Sequence, residues 1–455
     1  MKLLQKKTLS VLLLGALIPV LSGCGSNSSN ANTNANANAA PEKSNAAATA
    51  TEAPKETEVK SEPVTISYIG AASQLAVGNI KELIAQWEQK TGNKVDIQAI
   101  QDDQYDNLVK AKLSGGGDVD VFFGAYSKYD VPNQLLEISG ESFESRLNDV
   151  ALSSLKYTDG KIYAFPYPSS QGTWGVFYNK TIFSDLGLTV PKTMDDLNKD
   201  LAAIKAGGKT PFYFAAKDGW TMLQHHNAVN GILGGADAQV WDKLNKNEVQ
   251  WKDIPDFVHQ YKQVEDWAKK GYFNKDFLTG TYEKQQLSLA KGDVAMVVQG
   301  AFFVPEVIKQ NADAQIGFFP LPNQDGSETI GLSGGTQIFI AKSSKHPEES
   351  KDLLRFLTEQ PQAQSALEAA PGISPFKDVD VSAKMPDAVK EVQAFVNTGK
   401  IAKHGDDAYV IPMPYDDLVA AYAELLAGKI TADQFVQKHQ DMYAKNAKIA
   451  KIPGF

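Results

Sequence analysis

The chain has 455 residues, with 54 acidic against 45 basic side chains for a net charge of −9, and a single cysteine. No basic stripe is present, which argues against a nucleic-acid partner. One cysteine rules out an internal disulfide, and the absence of a His-Glu-x-x-His or cysteine cluster leaves no cofactor or metal to expect.

The first residues carry Lys2, Lys6 and Lys7, then a mostly apolar run from Val11 to Leu21, and end at Leu21-Ser22-Gly23-Cys24. That order predicts a lipoprotein signal peptide over 1–23 with lipidation at Cys24, since the run is too short to span a bilayer comfortably. Loss of its three lysines takes the charge to about −12. Residues 24–63 are largely Asn, Ala, Ser, Thr, Glu and Pro, too poor in apolar surface to offset ordering entropy, and read as a flexible tether. The remaining chain is longer than one core usually organises, so two domains are expected.

From Val64 the pattern is strand (Val64 to Ile69), helix (Ile80, Leu83, Ile84 and Trp87 on one face), strand (Lys94 to Ile100), helix (Tyr105 to Leu113) and strand (Val119 to Phe123). This is β-α-β-α-β, the signature of a parallel sheet with helices on its faces. Ligands collect at the carboxyl ends of such strands. The loops 70–74, 101–104 and 124–129 therefore offer Ser73, Gln74, Asp103 and Tyr126 as candidate contacts.

Asp159 to Phe183 is organised differently. An Asp-Gly turn precedes a short apolar run broken by Pro166 and Pro168, and a polar stretch with Gly172 and with Gln171, a further candidate ligand contact, leads into a new strand near Thr173 and Trp174. A strand ends, a glycine-bearing crossing follows and another strand begins, as where a chain passes between lobes. These residues, DGKIYAFPY followed by GVFYNKTIF, resemble the first interlobe crossing of the extracellular solute-binding proteins, family 1, the sugar-capturing receptors of ABC importers.

Beyond it, Thr193 heads a helix from about Met194 to Lys205, with Asp195 and Asp196 in its favourable first turn. Phe212 to Ala215 reads as a strand; Thr221 to Leu233, Ile254 to Lys270 and Tyr282 to Ala290 read as helices, and together they form a second α/β lobe. Val294 to Val298 is a strand running into Gln299-Gly300-Ala301-Phe302-Phe303, read as the return crossing. Similar receptors carry an alanine-methionine strand followed by a glycine and an aromatic, matched here by Ala295, Met296, Gly300 and Phe302. Extended segments follow at Ile316 to Pro322 and Gly331 to Ile340, then helices at Pro347 to Leu357, Pro386 to Asn397 and Asp416 to Leu426. A capping box at Thr431 to Gln434 opens the last helix.

The resemblance implies a two-lobe α/β fold of the periplasmic-binding-protein type II class. Lobe 1 would be 64–168 plus 300–358 and lobe 2 169–299 plus 359–455. It also implies stacking aromatics at Trp220, Phe302 and Tyr415, with Trp174 a candidate from its loop, and a glycine-rich hinge or ligand loop at Gly334 and Gly335. A pyranose has an apolar C–H face and a hydroxyl rim, so rings beside Asp, Asn, Gln or Ser suit it. Phe302 stands where the family more usually has tryptophan, and Gly124 where a relative has an aromatic, which disfavours long maltodextrins. The expected partners are a sugar, ABC permease subunits and the membrane through Cys24, with the receptor a monomer on the extracytoplasmic face of a single-membrane bacterium.

Rival chemistries fit the residues less well. Gly331-Leu332-Ser333-Gly334-Gly335 fits the nucleophile elbow of a hydrolase, but the residues after it form a strand where that chemistry needs a helix. Asp102-Asp103 and Asp416-Asp417 could serve a glycosidase, yet adjacent acids at helix starts usually favour the helix dipole. His225 and His226 are adjacent and cannot form an i, i+4 metal pair, and Gly207 to Thr210 lacks the earlier glycine of a phosphate loop. Within the receptor class, a cationic ligand would need a carboxylate box and a phosphorylated one would need basic groups, of which Lys128 is nearest.

Overall fold

The computed structural model describes residues 62–455 except 409, 410 and 412, so the signal peptide, Cys24 and the tether up to residue 61 lie outside the described residues. Eleven strands follow in order. They are β1 (Thr65–Ala71), β2 (Lys94–Ile100), β3 (Val121–Gly124), β4 (Ala164–Pro166), β5 (Trp174–Asn179), β6 (Thr210–Phe212), β7 (Val294–Gly300), β8 (Ile316–Phe319), β9 (Ile330–Leu332), β10 (Gln337–Ile340) and β11 (Ile401–Lys403).

The first sheet has the order β2-β1-β3-β10-β4. β1 is parallel to both β2 and β3, as the alternating pattern predicts, and is buried from Ile66 onward. The helix Ile80–Thr91 buries Ile80, Leu83, Ile84 and Trp87 against this sheet, and the Trp87 indole donates to Asp352 at 2.8 Å. β10 arrives antiparallel between β3 and β4, setting Phe339 opposite Phe122 and Ala164.

The second sheet has the order β6-β7-β5-β8. Every residue of β5 and β7 is buried, which explains their unbroken apolar reading: the helix Leu223–Ala236 covers one face, and the helices Tyr282–Lys291 and Asp387–Asn397 cover the other. Along β5, Trp174, Val176 and Tyr178 enter one core while Phe177 enters the other.

The lobe boundaries differ from the expectation at two places. Ile316–Phe319, assigned from sequence to lobe 1, is β8 of the second sheet, antiparallel to β5, with Phe318 packed 5.3 Å from Phe177. Gln299 to Phe303 is therefore not a crossing: β7 runs to Gly300 and a helix spans Phe303–Gln310, with Pro305 tolerated in its first turn. The chain returns to the first sheet only through residues 320–336. The helix Gln360–Ala369, expected in lobe 2, packs on Ile80–Thr91 of lobe 1.

Three segments thus join the lobes, and backbone hydrogen bonds knit them: Tyr167 N to Thr336 O (2.9 Å), Ser333 N to Gly172 O (2.9 Å) and Gln171 N to Ile373 O (2.7 Å). The third ends in the helix Asp387–Asn397, whose Glu391 accepts from Phe318 N at 2.7 Å and pairs with Lys180. β9 and β11 form a parallel ribbon on the helix Leu223–Ala236, where Gly231, Gly234 and Gly235 face Gly331, Ala402 and Thr329.

The core of lobe 2 also contains His225 and His439, both fully buried. Neither ring nitrogen of either residue has a hydrogen-bond partner among the described residues. His225 packs among Tyr261, Trp267 and Tyr422, and His439 against Trp251 and Phe257. Burial penalises the imidazolium, and nearby His226 adds to it, so His225 is pushed down to about 3 and His439 well below the ordinary value. Both stay neutral in the fold while the unfolded chain takes up protons near pH ~6.5. Their stability contribution is therefore complete above that value and shrinks as pH falls, by ~1.4 kcal/mol per unit for each. Asp200, raised to about 6 by burial and then by Asp196, works in the opposite sense and offsets part of this. Urea melts at pH 7.5 and 5.5 are expected to differ by ~2 kcal/mol, and His439→Gln should flatten that slope. An unchanged slope in the variant would remove His439 from the account.

Candidate ligand cleft

The carboxyl ends of β1, β2 and β3 face lobe 2 across a seam. Asp102, in the first turn of the helix Asp102–Gly115, does not cap its own helix. One carboxylate oxygen accepts from the Ser73 backbone N–H at 3.1 Å, and the other accepts from the Trp220 indole of lobe 2 at 2.9 Å. Trp220 sits in a 3-10 turn over Gly219–Met222, its ring 4.7 Å from Tyr282 and 6.2 Å from Phe302, centroid to centroid. Rings and carboxylates alternate here. Asp218 accepts from Tyr282 N at 2.7 Å, and its carboxyl is raised mainly by burial, with Asp102 and Asp103 adding repulsion. Farther along the seam, Lys128 pairs with Asp106 at 2.6 Å and lies 5.1 Å from the ring centroid of Tyr415.

The structure brings Ser73, Trp220, Phe302 and Tyr415 together at this seam, with Gln74 half-buried in the same short helix as Ser73. Asp103 is exposed beside it, and its neighbour Asp102 makes the cross-lobe contact. Tyr126 belongs to lobe 1: its hydroxyl donates to Leu155 O and accepts from Tyr163 N, and its ring packs on Tyr157 and Phe339. Gln171 is a buried hinge residue, accepting from Asn148 and donating to Ser333 O. Trp174 is 8% exposed, donates to Gln224 and stacks on His404 at 4.1 Å. Gly334 N donates to Asp407 at 2.9 Å, and Gly335 holds φ +95°, a conformation that favours glycine, so this pair shapes the second crossing.

Sequence reasoning passed over Asp102, read as a helix-start acid, and Tyr282 and Asp218 altogether. The usable signal for Asp102 was its place at a strand's carboxyl end; nothing local separates it from Asp103. The elbow reading of Ser333 meets a strand, not a helix: residues 333–336 link β9 to β10, and the Ser333 hydroxyl accepts from Gly335 N at 3.3 Å. Among the described residues, no group of three or more His, Cys, Asp or Glu side chains could hold a metal.

Two α/β lobes, three connecting segments and a seam of aromatics and carboxylates at strand ends define a hinged ligand-binding protein. The chain belongs to the bacterial extracellular solute-binding proteins, whose family model matches residues 71–364. It is 24% identical over 358 residues to the multiple sugar-binding protein of Streptococcus mutans serotype c, covering 76% of this chain and 80% of that one. It is 26% identical over 273 residues to the melibiose/raffinose/stachyose-binding protein MelE of Bacillus subtilis, covering 58% of this chain and 63% of that one. A Bacillus licheniformis sugar transporter solved in complex with stachyose superposes with a TM-score of 0.70 at 20% identity, covering 84% of this chain and 99% of that one.

Proposed function

We propose that this protein captures a neutral carbohydrate, a mono- or oligosaccharide, in the interlobe cleft and delivers it to the permease of an ABC importer. The observation that carries this reading is the Trp220, Tyr282 and Phe302 cluster, with the Asp218 carboxylate at its edge. Rings suit the C–H face of a pyranose, and carboxylates accept from its hydroxyls. The names of the relatives point the same way. Binding would favour the closed form because only there does a ligand touch both lobes.

The protein is a receptor rather than an enzyme on this reading. It comprises a signal peptide over 1–23, a lipid-bearing Cys24, a tether to residue 63 and two lobes, and acts as a monomer held at the extracytoplasmic face of the membrane. Among the described residues, no helix is long and apolar enough to cross a membrane. A phosphorylated ligand is the less favoured alternative, because Lys128 is already matched by Asp106.

The test is tryptophan fluorescence and Tm of the mature chain against mono- and oligosaccharides, with melibiose, raffinose and stachyose included. A saturable shift with one sugar, recovered unaltered, is expected, and at 100 times Kd the added stability is ~2.7 kcal/mol. Glycerol 3-phosphate and glucose 6-phosphate are expected to shift neither signal. Silence with every sugar would overturn the carbohydrate reading, and consumption of a glycoside would overturn the receptor reading.

A further inference from the structure

The bond between Asp102 and Trp220 joins the two lobes. Asp102 is not free to swing, because the Ser73 N–H holds its other oxygen to lobe 1. Trp220 is fixed on its side too. Its carbonyl accepts from the Gln224 amide at 3.0 Å, and the oxygen of that same amide accepts from Trp174 at 2.6 Å, at the start of β5 beside the first crossing. The indole N–H is consumed by a carboxylate, so the ring can offer a ligand only its face. A charge-assisted hydrogen bond in a partly dry seam is among the stronger polar contacts a protein makes. This one requires the lobes to be closed.

We propose that Asp102 is a positioning residue for capture, acting through Trp220: it sets the plane of the indole shelf and latches the lobes shut around a bound sugar. This rests on reading the cleft as the sugar site. The bond breaks when the lobes part, so its loss speeds release more than it slows encounter. Asp102 touches Trp220 and leaves the hydroxyl rim of the ligand to other groups.

The test is a double-mutant cycle on the mature chain, read by stopped-flow tryptophan fluorescence with the sugar that the panel identifies. Trp220→Phe keeps a ring and deletes the donor; Asp102→Ala deletes the acceptor. Each is expected to raise Kd about tenfold, mostly through koff. Asp102→Asn, which still accepts but without charge, should fall between. The double variant is expected to be no weaker than the worse single, since both remove one bond. Additive losses, unchanged affinity, or an effect confined to kon would each overturn the proposal, whereas a merely structural role would lower Tm without the koff signature. If the wild-type chain binds no sugar, the carbohydrate reading fails and ligand-free solution scattering still decides the latch. Asp102→Ala must then show a larger radius of gyration than wild type, and equal radii would sink it.

Discussion

Gly231→Ala is expected to cost ~3 kcal/mol or more, the largest stability loss predicted here, because the added methyl meets backbone on a neighbouring element and has no side chain to push aside. A Cβ at Gly231 would stand 2.3 Å from Gly331 N, 2.8 Å from Ile330 C and 3.0 Å from Ile330 Cα. All three atoms belong to β9, which is held on its other side by β11 and lies in the connection that carries the chain back to lobe 1. Relief would require moving the helix Leu223–Ala236 or the hinge ribbon itself. For a unit of lobe-2 size, the loss corresponds to a Tm lower by ~6–12 °C. Gly115→Ala is the control. That glycine is helical, with nothing within 4 Å of the added methyl, and the change should be neutral or mildly stabilising. Equal melting of wild type and Gly231→Ala would mean that helix and ribbon do not approach as described.

The same ribbon shows which parts of the structure could be read from sequence. β1 and β2 were legible from their apolar/polar alternation and β7 from its unbroken apolar run ending at Gly300, and the caps at Thr193 and Thr431 were legible because each is a local hydrogen bond to the third residue onward. Lobe membership was not local. β8 joins lobe 2 only because it pairs with β5, far earlier in the chain, and no residue near Ile316 announces that partner. The motif Gly300 to Phe303 imitated a crossing, since a glycine, an aromatic and Pro305 suit a break as well as a helix start. Trp174 could have been placed better. Counting by twos along β5 puts it with Val176 and Tyr178 in the second core, which strand parity states without a structure. Asp102 was beyond reach: neighbouring residues on a helix project about 100° apart, and which of two acids faces the other lobe depends on where that lobe sits.

Trp220→Ala is expected to raise the Kd for the sugar about 100-fold or more, well beyond Trp220→Phe, because it removes the stacking face together with the N–H donor. Trp220 is half-buried at the seam, so the ligand-free chain should keep most of its stability, losing the contacts with Tyr282 and Phe302 and the bond to Asp102. The discriminating partner is Tyr126→Phe. The Tyr126 hydroxyl serves Leu155 O and Tyr163 N inside lobe 1, so deleting it should cost about 1 kcal/mol of stability and leave sugar affinity unchanged. Titration calorimetry for affinity and thermal melts for stability on both variants separate the two roles. A crossed pattern, with affinity lost in Trp220→Ala and stability lost in Tyr126→Phe, follows from an indole shelf at the cleft and a phenol in the lobe wall. Full affinity in Trp220→Ala would mean that the sugar rests elsewhere along the seam, toward Lys128 and Tyr415, where the second aromatic contact between the lobes lies.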